Sequence, residues 1–290
     1  MQAAQAKPET VPAKFSYEAT EASVTQMATE QGALYQNNIP FPHIMLDDFF
    51  DEQTLREVME EINTIDKTKH YKKFLGNLNE HKKLTYFPHI VGPKTNLLVA
   101  YLNSGIFIDY LEKLTGIQGL LPDPSYLGAG LHWIENGGFL EVHADFNHHK
   151  KYNLERRINL LLYLNDDWED SFNGALELWN IETGKREKNI LPIFNRCVIF
   201  STTANALHGH PAPINHPKAA PRRSIALYYY TNTWDKDNSK SDTDFYRTTF
   251  NLAALHPRNL KPSKAIKAVI NNITPPIIRK TVKYVKQRLS

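Results

Sequence analysis

The sequence predicts a mainly β domain with flanking helices, of sandwich, barrel or jelly-roll type. Three observations carry this reading. From about Tyr126 onward, short β-rich runs follow one another closely with no long helical pattern between them. Ahead of them, apolar residues recur at helical spacing in two places. The 290 residues, 41% hydrophobic and 22% charged, have globular proportions and are enough to bury a core.

Residues 1–38 are rich in Ala, Gln, Thr and Glu with little periodicity and read as a flexible lead-in, with a short helix at most. Phe41 to Leu46 is strand-like. Asp51 is placed to cap a helix in which Leu55, Val58, Met59 and Ile62 share a face. A second helical region spans about Asn96 to Leu114. Gly105 divides it into two short helices and Gly116 ends it. The clearest strands are Arg157–Leu164, Ala175–Trp179, Arg196–Ser201 and Ser224–Tyr230. The domain division expected is a lead-in over 1–38, a β domain with its N-terminal helices over 39–235, and a basic helical extension over 236–290.

From His256 to Ser290 the chain carries nine basic residues and no acidic one, so the net charge of +3 becomes −6 without them. A mildly acidic body with a basic tail is not the charge pattern of a nucleic-acid-binding domain, and specific nucleic-acid binding is not expected. In the tail, Ile278, Val282, Val285 and Leu289 form one apolar stripe. The stripe can pack on the body with the cations solvated, or the cations can make a weak contact with an anionic membrane surface. The one cysteine, Cys197, excludes an internal disulfide and suits a reducing cytosol, so a cytoplasmic protein is expected. No apolar run reaches the length of a transmembrane helix, and no signal peptide is visible.

With 12 histidines, about 0.6 His-x-Asp triplets arise by chance in this length. The single triplet, His143-Ala144-Asp145, gains weight from its place at a strand end, where residues two apart share a face. An imidazole and a carboxylate there can take adjacent corners of a metal, and one ligand from a distant strand would complete a facial triad with open positions. A surface His–Asp hydrogen bond or a capping Asp is the plainer alternative. The distant ligand is His208 or His210, both delivered by the run from Phe200 to Pro211. His148 and His149 read as solvated loop residues. Arg222 and Ser224 share a strand face, with Arg223 on the other; a basic residue turned into a β core needs an anionic partner. Tyr163 can add a phenolic donor. A surface strand entry would explain the arginine pair equally well.

In order along the chain stand Gly137-Gly138-Phe139-Leu140 leading to His143-Ala144-Asp145, Arg157 to Asn165 with Trp168, Gly174-Ala175-Leu176-Glu177-Leu178, His208-Gly209-His210-Pro211, and Arg222-Arg223-Ser224. In this order, over Phe41 to Trp234, the chain resembles the iron(II)- and 2-oxoglutarate-dependent dioxygenases, in the branch similar to prolyl 4-hydroxylases. The resemblance implies a double-stranded β-helix (jelly-roll) core. It implies iron(II) held by His143, Asp145 and His208, with 2-oxoglutarate held at its far carboxylate by Arg222 and helped by Ser224 and Tyr163. Dioxygen is the oxidant, and ascorbate an accessory reductant. The implied reaction hydroxylates an unactivated C–H bond and releases succinate and carbon dioxide. Halogenating relatives lack the carboxylate that Asp145 supplies, so halogenation is not expected. Two departures stand out: Ala175 where the family often has a second glycine, and a long interval from His208 to Arg222. That interval leaves Arg223 as the alternative anchor.

The substrate is expected to be a peptidyl proline or amino acid, or else a small metabolite or glycan. The segments that would choose among them are Lys69–Thr85, Phe146–Glu155 and both termini. Two other readings stay open: a non-catalytic cupin-like binding module, and a cupin-type metal enzyme that works without 2-oxoglutarate. The oligomeric state is not legible.

Overall fold

A computed structural model describes residues 11–232 apart from 71, 75–79 and 124. The expected basic extension over 236–290 lies outside the described residues. In chain order the elements are β1 (Val11–Pro12), α1 (Glu21–Asn37), β2 (His43–Asp47), α2 (Glu52–Asn63), β3 (Lys72–Phe74) and β4 (Glu80–Tyr86). Then come α3 (Pro88–Val91), α4 (Pro93–Leu102), α5 (Gly105–Thr115), β5 (Leu121–Pro122), β6 (Gly130–His143), β7 (His148–His149) and β8 (Leu154–Tyr163). The chain continues with β9 (Leu176–Asn180), β10 (Lys185–Ile190), β11 (Arg196–Ser201), β12 (Leu207–His210) and β13 (Arg222–Thr231).

The strands form one curled sheet in the order β1-β2-β11-β8-β13-β6-β12-β9-β10, with β4 also on β6. Only the β1–β2 pair among these is parallel. Strand β6 closes the roll. Its first half pairs with β13 and its last residues with β12, while β4 pairs with both stretches. The result is the double-stranded β-helix expected from the resemblance.

The sheet sorts its side chains by period two. On the outer face Leu160, Leu162, Ile199, Ile225 and Leu227 join the helices in the main core. On the inner face Tyr163, Val198 and Phe200 meet Leu176 and Leu178 from the opposite wall. The inner face therefore has room for polar side chains that the outer face does not.

The helix boundaries follow their signals. Asp51 caps α2, its carboxylate accepting from the Thr54 amide at 2.8 Å. Gly116 ends α5 with φ of 74°, in the left-handed region that favours glycine. The reading of 1–38 as a lead-in needs correction. Helix α1 lies along α5 and buries Val24, Ala28 and Tyr35. Its Gln31 accepts from the buried Tyr110 hydroxyl at 2.6 Å. The Tyr35 hydroxyl bonds Ser201 of β11 at 2.7 Å. Residues 21–37 are part of the core.

Candidate metal centre

Strand β6 ends at His143, and β12 runs antiparallel beside it with His208 directly opposite. Gly209 makes the close approach possible: a Cβ there would sit 2.7 Å from the Glu141 carbonyl oxygen. A register shift between His208 and His210 then carries His210 opposite Leu140, deeper in the roll. Asp145 follows β6 by two residues and turns back toward both imidazoles.

His143, Asp145 and His208 are thus brought together, with one possible ligand atom from each lying within 4.8 Å of the others. His143 Nε2 is 3.3 Å from Asp145 Oδ1, and His208 Nε2 is 3.4 Å from Asp145 Oδ2. Each imidazole is oriented through its other nitrogen. His143 Nδ1 donates to the Glu141 carbonyl at 2.6 Å, and His208 Nδ1 to the Ala206 carbonyl at 2.9 Å. In that tautomer both Nε2 lone pairs face the carboxylate. Electron-rich atoms so arranged need a cation among them. A divalent metal suits two imidazoles and one carboxylate. Burial opposes the charge of Asp145, but the Arg156 guanidinium beside it outweighs this and holds the carboxyl well below its usual range.

The same cavity is lined by Arg222, Ser224, Tyr228, His132, Lys83 and His210. Arg222 is buried at 4% exposure. Its Nε donates to the Gly174 carbonyl at 2.7 Å and its Nη2 to the Tyr163 hydroxyl at 3.2 Å. Among the described residues no carboxylate pairs with it. A guanidinium buried against neutral partners alone is costly, and a bound anion would remove the cost. Burial accordingly lowers its pKa, against the pull of Tyr163. Gly174 keeps this corner open. Its φ is +77°, and a Cβ would meet the Arg222 side chain at 3.3 Å. Ser224 stands opposite Tyr163 in the β13–β8 ladder. Arg223 points to the outer face and donates to Asn63 at 2.6 Å, so Arg222 is the arginine that lines the cavity.

His148 and His149 are not solvated loop residues. They form β7, pair with β8 and are buried. His149 packs beside Tyr152 and Tyr230 and bonds Ser125 at 3.0 Å, which removes it from water and from the metal cluster.

Lys83, His132, Arg156 and Asn159 belong to the site and escaped sequence reading. Strict alternation through Asn159, Leu161 and Tyr163 would put Arg157 inward and Arg156 outward. A bulge reverses them: Tyr229 pairs with Ile158 but Tyr230 with Arg156, leaving Arg157 as the extra residue. Two adjacent arginines at a strand entry were the available signal, and nothing in the residues marked the bulge.

Residues 129–253 match the family model described as the 2OG-Fe(II) oxygenase superfamily. No curated protein matches the chain. Among solved structures the chain is similar to a prolyl hydroxylase from Trichoplax adhaerens in complex with a hypoxia inducible factor peptide fragment, at 15% identity and a TM-score of 0.56, covering 77% of this chain and 99% of that one. It is similar to a prolyl-4-hydroxylase from Pseudomonas putida at 12% identity and a TM-score of 0.50, covering 71% and 99%. A prolyl 4-hydroxylase from Phytophthora capsici gives 17% identity and a TM-score of 0.51, covering 79% and 73%. Residues 129–253 are thus similar to the 2OG-Fe(II) oxygenase superfamily, the jelly roll has the fold of the prolyl hydroxylase structures, and the cavity suits iron(II) and 2-oxoglutarate.

Proposed function

We propose that this jelly-roll domain is a 2OG-Fe(II) oxygenase, a hydroxylase in which His143, Asp145 and His208 hold iron(II), and Arg222, with Tyr163 and Ser224, holds the far carboxylate of 2-oxoglutarate. The observation that carries the proposal is the buried Arg222, without a carboxylate partner among the described residues, in the same cavity as a two-histidine, one-carboxylate cluster. A metal alone would explain the cluster but not the cation. A dicarboxylate that reaches both explains both.

Bound iron and 2-oxoglutarate supply the oxidising chemistry, in which dioxygen is consumed and succinate, carbon dioxide and a hydroxylated substrate are formed. The chain's own residues do the rest. The Glu141 and Ala206 carbonyls fix the imidazole tautomers. Arg222 and Tyr163 bind and orient the anion. The apolar wall from Leu161 and Leu176 limits water in the cavity. The substrate we propose is a peptidyl proline or an amino acid, or a small metabolite or glycan. Likeness to a prolyl hydroxylase solved with a peptide fragment supports the peptide. The single cysteine supports a cytoplasmic setting.

The test is a co-substrate series. Purified protein with iron(II) should bind 2-oxoglutarate and release succinate from it. Arg222→Leu should weaken 2-oxoglutarate binding by 10-fold or more while metal is retained, since a charge-assisted pair is lost. Unchanged 2-oxoglutarate binding in that variant would contradict the assignment. A folded wild type that binds metal but never 2-oxoglutarate would return the cupin-type readings.

A further inference from the structure

The metal-facing carboxylate is held from behind by two side chains that the proposed chemistry does not itself require. Asp145 Oδ2 accepts from Arg156 Nη2 at 2.9 Å and from Asn159 Nδ2 at 2.7 Å. Asn159 Oδ1 accepts in turn from Arg156 Nε at 2.9 Å and Nη2 at 2.6 Å. The three side chains close a ring of hydrogen bonds. Its polarity is determined, because the guanidinium can only donate and the carboxylate can only accept. The amide between them is thereby oriented, oxygen toward Arg156 and nitrogen toward Asp145.

Arg156 itself has little freedom. It is 1% exposed. Its guanidinium carbon lies 3.4 Å above the Tyr228 ring and 4.7 Å from the Phe146 ring centre. Two aromatic faces and two acceptors hold the planar group in one plane, which a lysine ammonium could not reproduce. The bulge that turns Arg156 inward is a local departure from the ladder, and it puts this cation within reach of Asp145.

We infer that Arg156 and Asn159 are positioning residues that fix Asp145 in a single orientation: their two donors occupy Oδ2, which also lies 3.4 Å from His208 Nε2, and leave Oδ1, 3.3 Å from His143 Nε2, as the oxygen that takes the metal. This rests on the iron site proposed above. A carboxylate offering one oxygen takes one position on the metal rather than two, and so leaves the others for co-substrate and dioxygen. Groups behind a ligand commonly alter metal affinity 10- to 100-fold when removed.

The experiment reads metal binding rather than turnover. Mn(II) is titrated into the metal-free full-length protein and followed by electron paramagnetic resonance, for wild type, Asn159→Leu, Arg156→Met and Arg156→Lys. Near-ultraviolet circular dichroism of each metal-free protein reports its fold. Asn159→Leu is the safeguard should Arg156→Met fail to fold. The expected result is about 10- to 100-fold weaker binding in Asn159→Leu and at least that in Arg156→Met. Arg156→Lys should recover part of the affinity, because the charge returns without the planar fork. The Mn(II) signal of the folded variants should also change shape as a second carboxylate oxygen reaches the metal. Wild-type affinity and line shape in folded Asn159→Leu and Arg156→Met would overturn this inference and leave the iron site standing. A wild type that binds no Mn(II) or iron(II) would overturn both.

Discussion

At the scale of single residues, the site depends on backbone approach as much as on ligands. Gly209 separates His208 and His210, and any side chain there collides with the Glu141 carbonyl across the ladder. Gly209→Ala should push β12 away from β6 and cost about 1–3 kcal/mol of stability, as overpacking does. It should weaken metal binding more than a surface substitution of equal destabilisation, because His208 rides on the displaced strand. Thermal melting and a metal titration on the same variant check this. Normal affinity would mean that the β6–β12 spacing does not set the ligand geometry. His210 shows how far residue patterns reach. His208 and His210 look equivalent on a strand face, and the register shift between them is what separates their positions. Burial pushes the His210 imidazole pKa well down, with Arg222 and Lys83 acting in the same direction, so it is neutral. Neither of its ring nitrogens has a hydrogen-bond partner among the described residues.

At the scale of elements, strands with apolar or alternating patterns were legible and those without were not. β8, β11 and β13 stand close to where their β-branched and aromatic runs lie. β10 is Lys-Arg-Glu-Lys-Asn-Ile, an edge strand largely open to water, so it carries no burial pattern to read. α1 is hidden in the sequence for a related reason. Its buried positions are Val24, Ala28, Gln31, Gly32 and Tyr35, which keep helical spacing but are mostly small or polar. Composition there hid a packed face. Removing residues 1–38 should therefore uncover α5 and β11 and give protein that melts much lower or aggregates. Circular dichroism melts of the truncated and full-length chains decide this, and an unchanged melting temperature would restore the lead-in reading. At the start of α2, Asp51→Ala should cost about 1 kcal/mol through the lost cap, read as a lower denaturation midpoint.

At the scale of the whole molecule, burying polar groups in a jelly roll makes stability depend on pH. His43 on β2 is held neutral, its pKa pushed down to about 4 by burial. The Phe41 carbonyl, which accepts from its ring, partly offsets the shift, and Lys188 adds to it. The sign follows from linkage. The unfolded chain takes up the proton near pH 6.5 and the folded chain only near 4. Stability is therefore full above 6.5 and falls as pH drops through that window, by roughly 3 kcal/mol in all. His43→Gln should flatten the slope of stability against pH between 6.5 and 5, measured by urea unfolding. A slope unchanged from wild type would exclude His43 as its source.

The order of motifs along the chain made the fold and the cavity's main residues legible, because a jelly roll returns distant strand ends to one mouth. The bulges did not show, since they depend on how neighbouring strands pair. They decide which of two adjacent arginines reaches Asp145, and which of two near-adjacent histidines joins the cluster of His143 and Asp145. Binding of iron(II) and 2-oxoglutarate by this cavity is tested anaerobically. Iron(II) and then 2-oxoglutarate are added to the metal-free protein, and the visible spectrum is recorded for wild type, His208→Ala and His210→Ala. A weak charge-transfer band from 2-oxo-acid chelation is expected in wild type, with its loss in His208→Ala and its persistence in His210→Ala. A folded, metal-binding wild type with no band, or a band that survives in His208→Ala and vanishes in His210→Ala, would contradict this assignment.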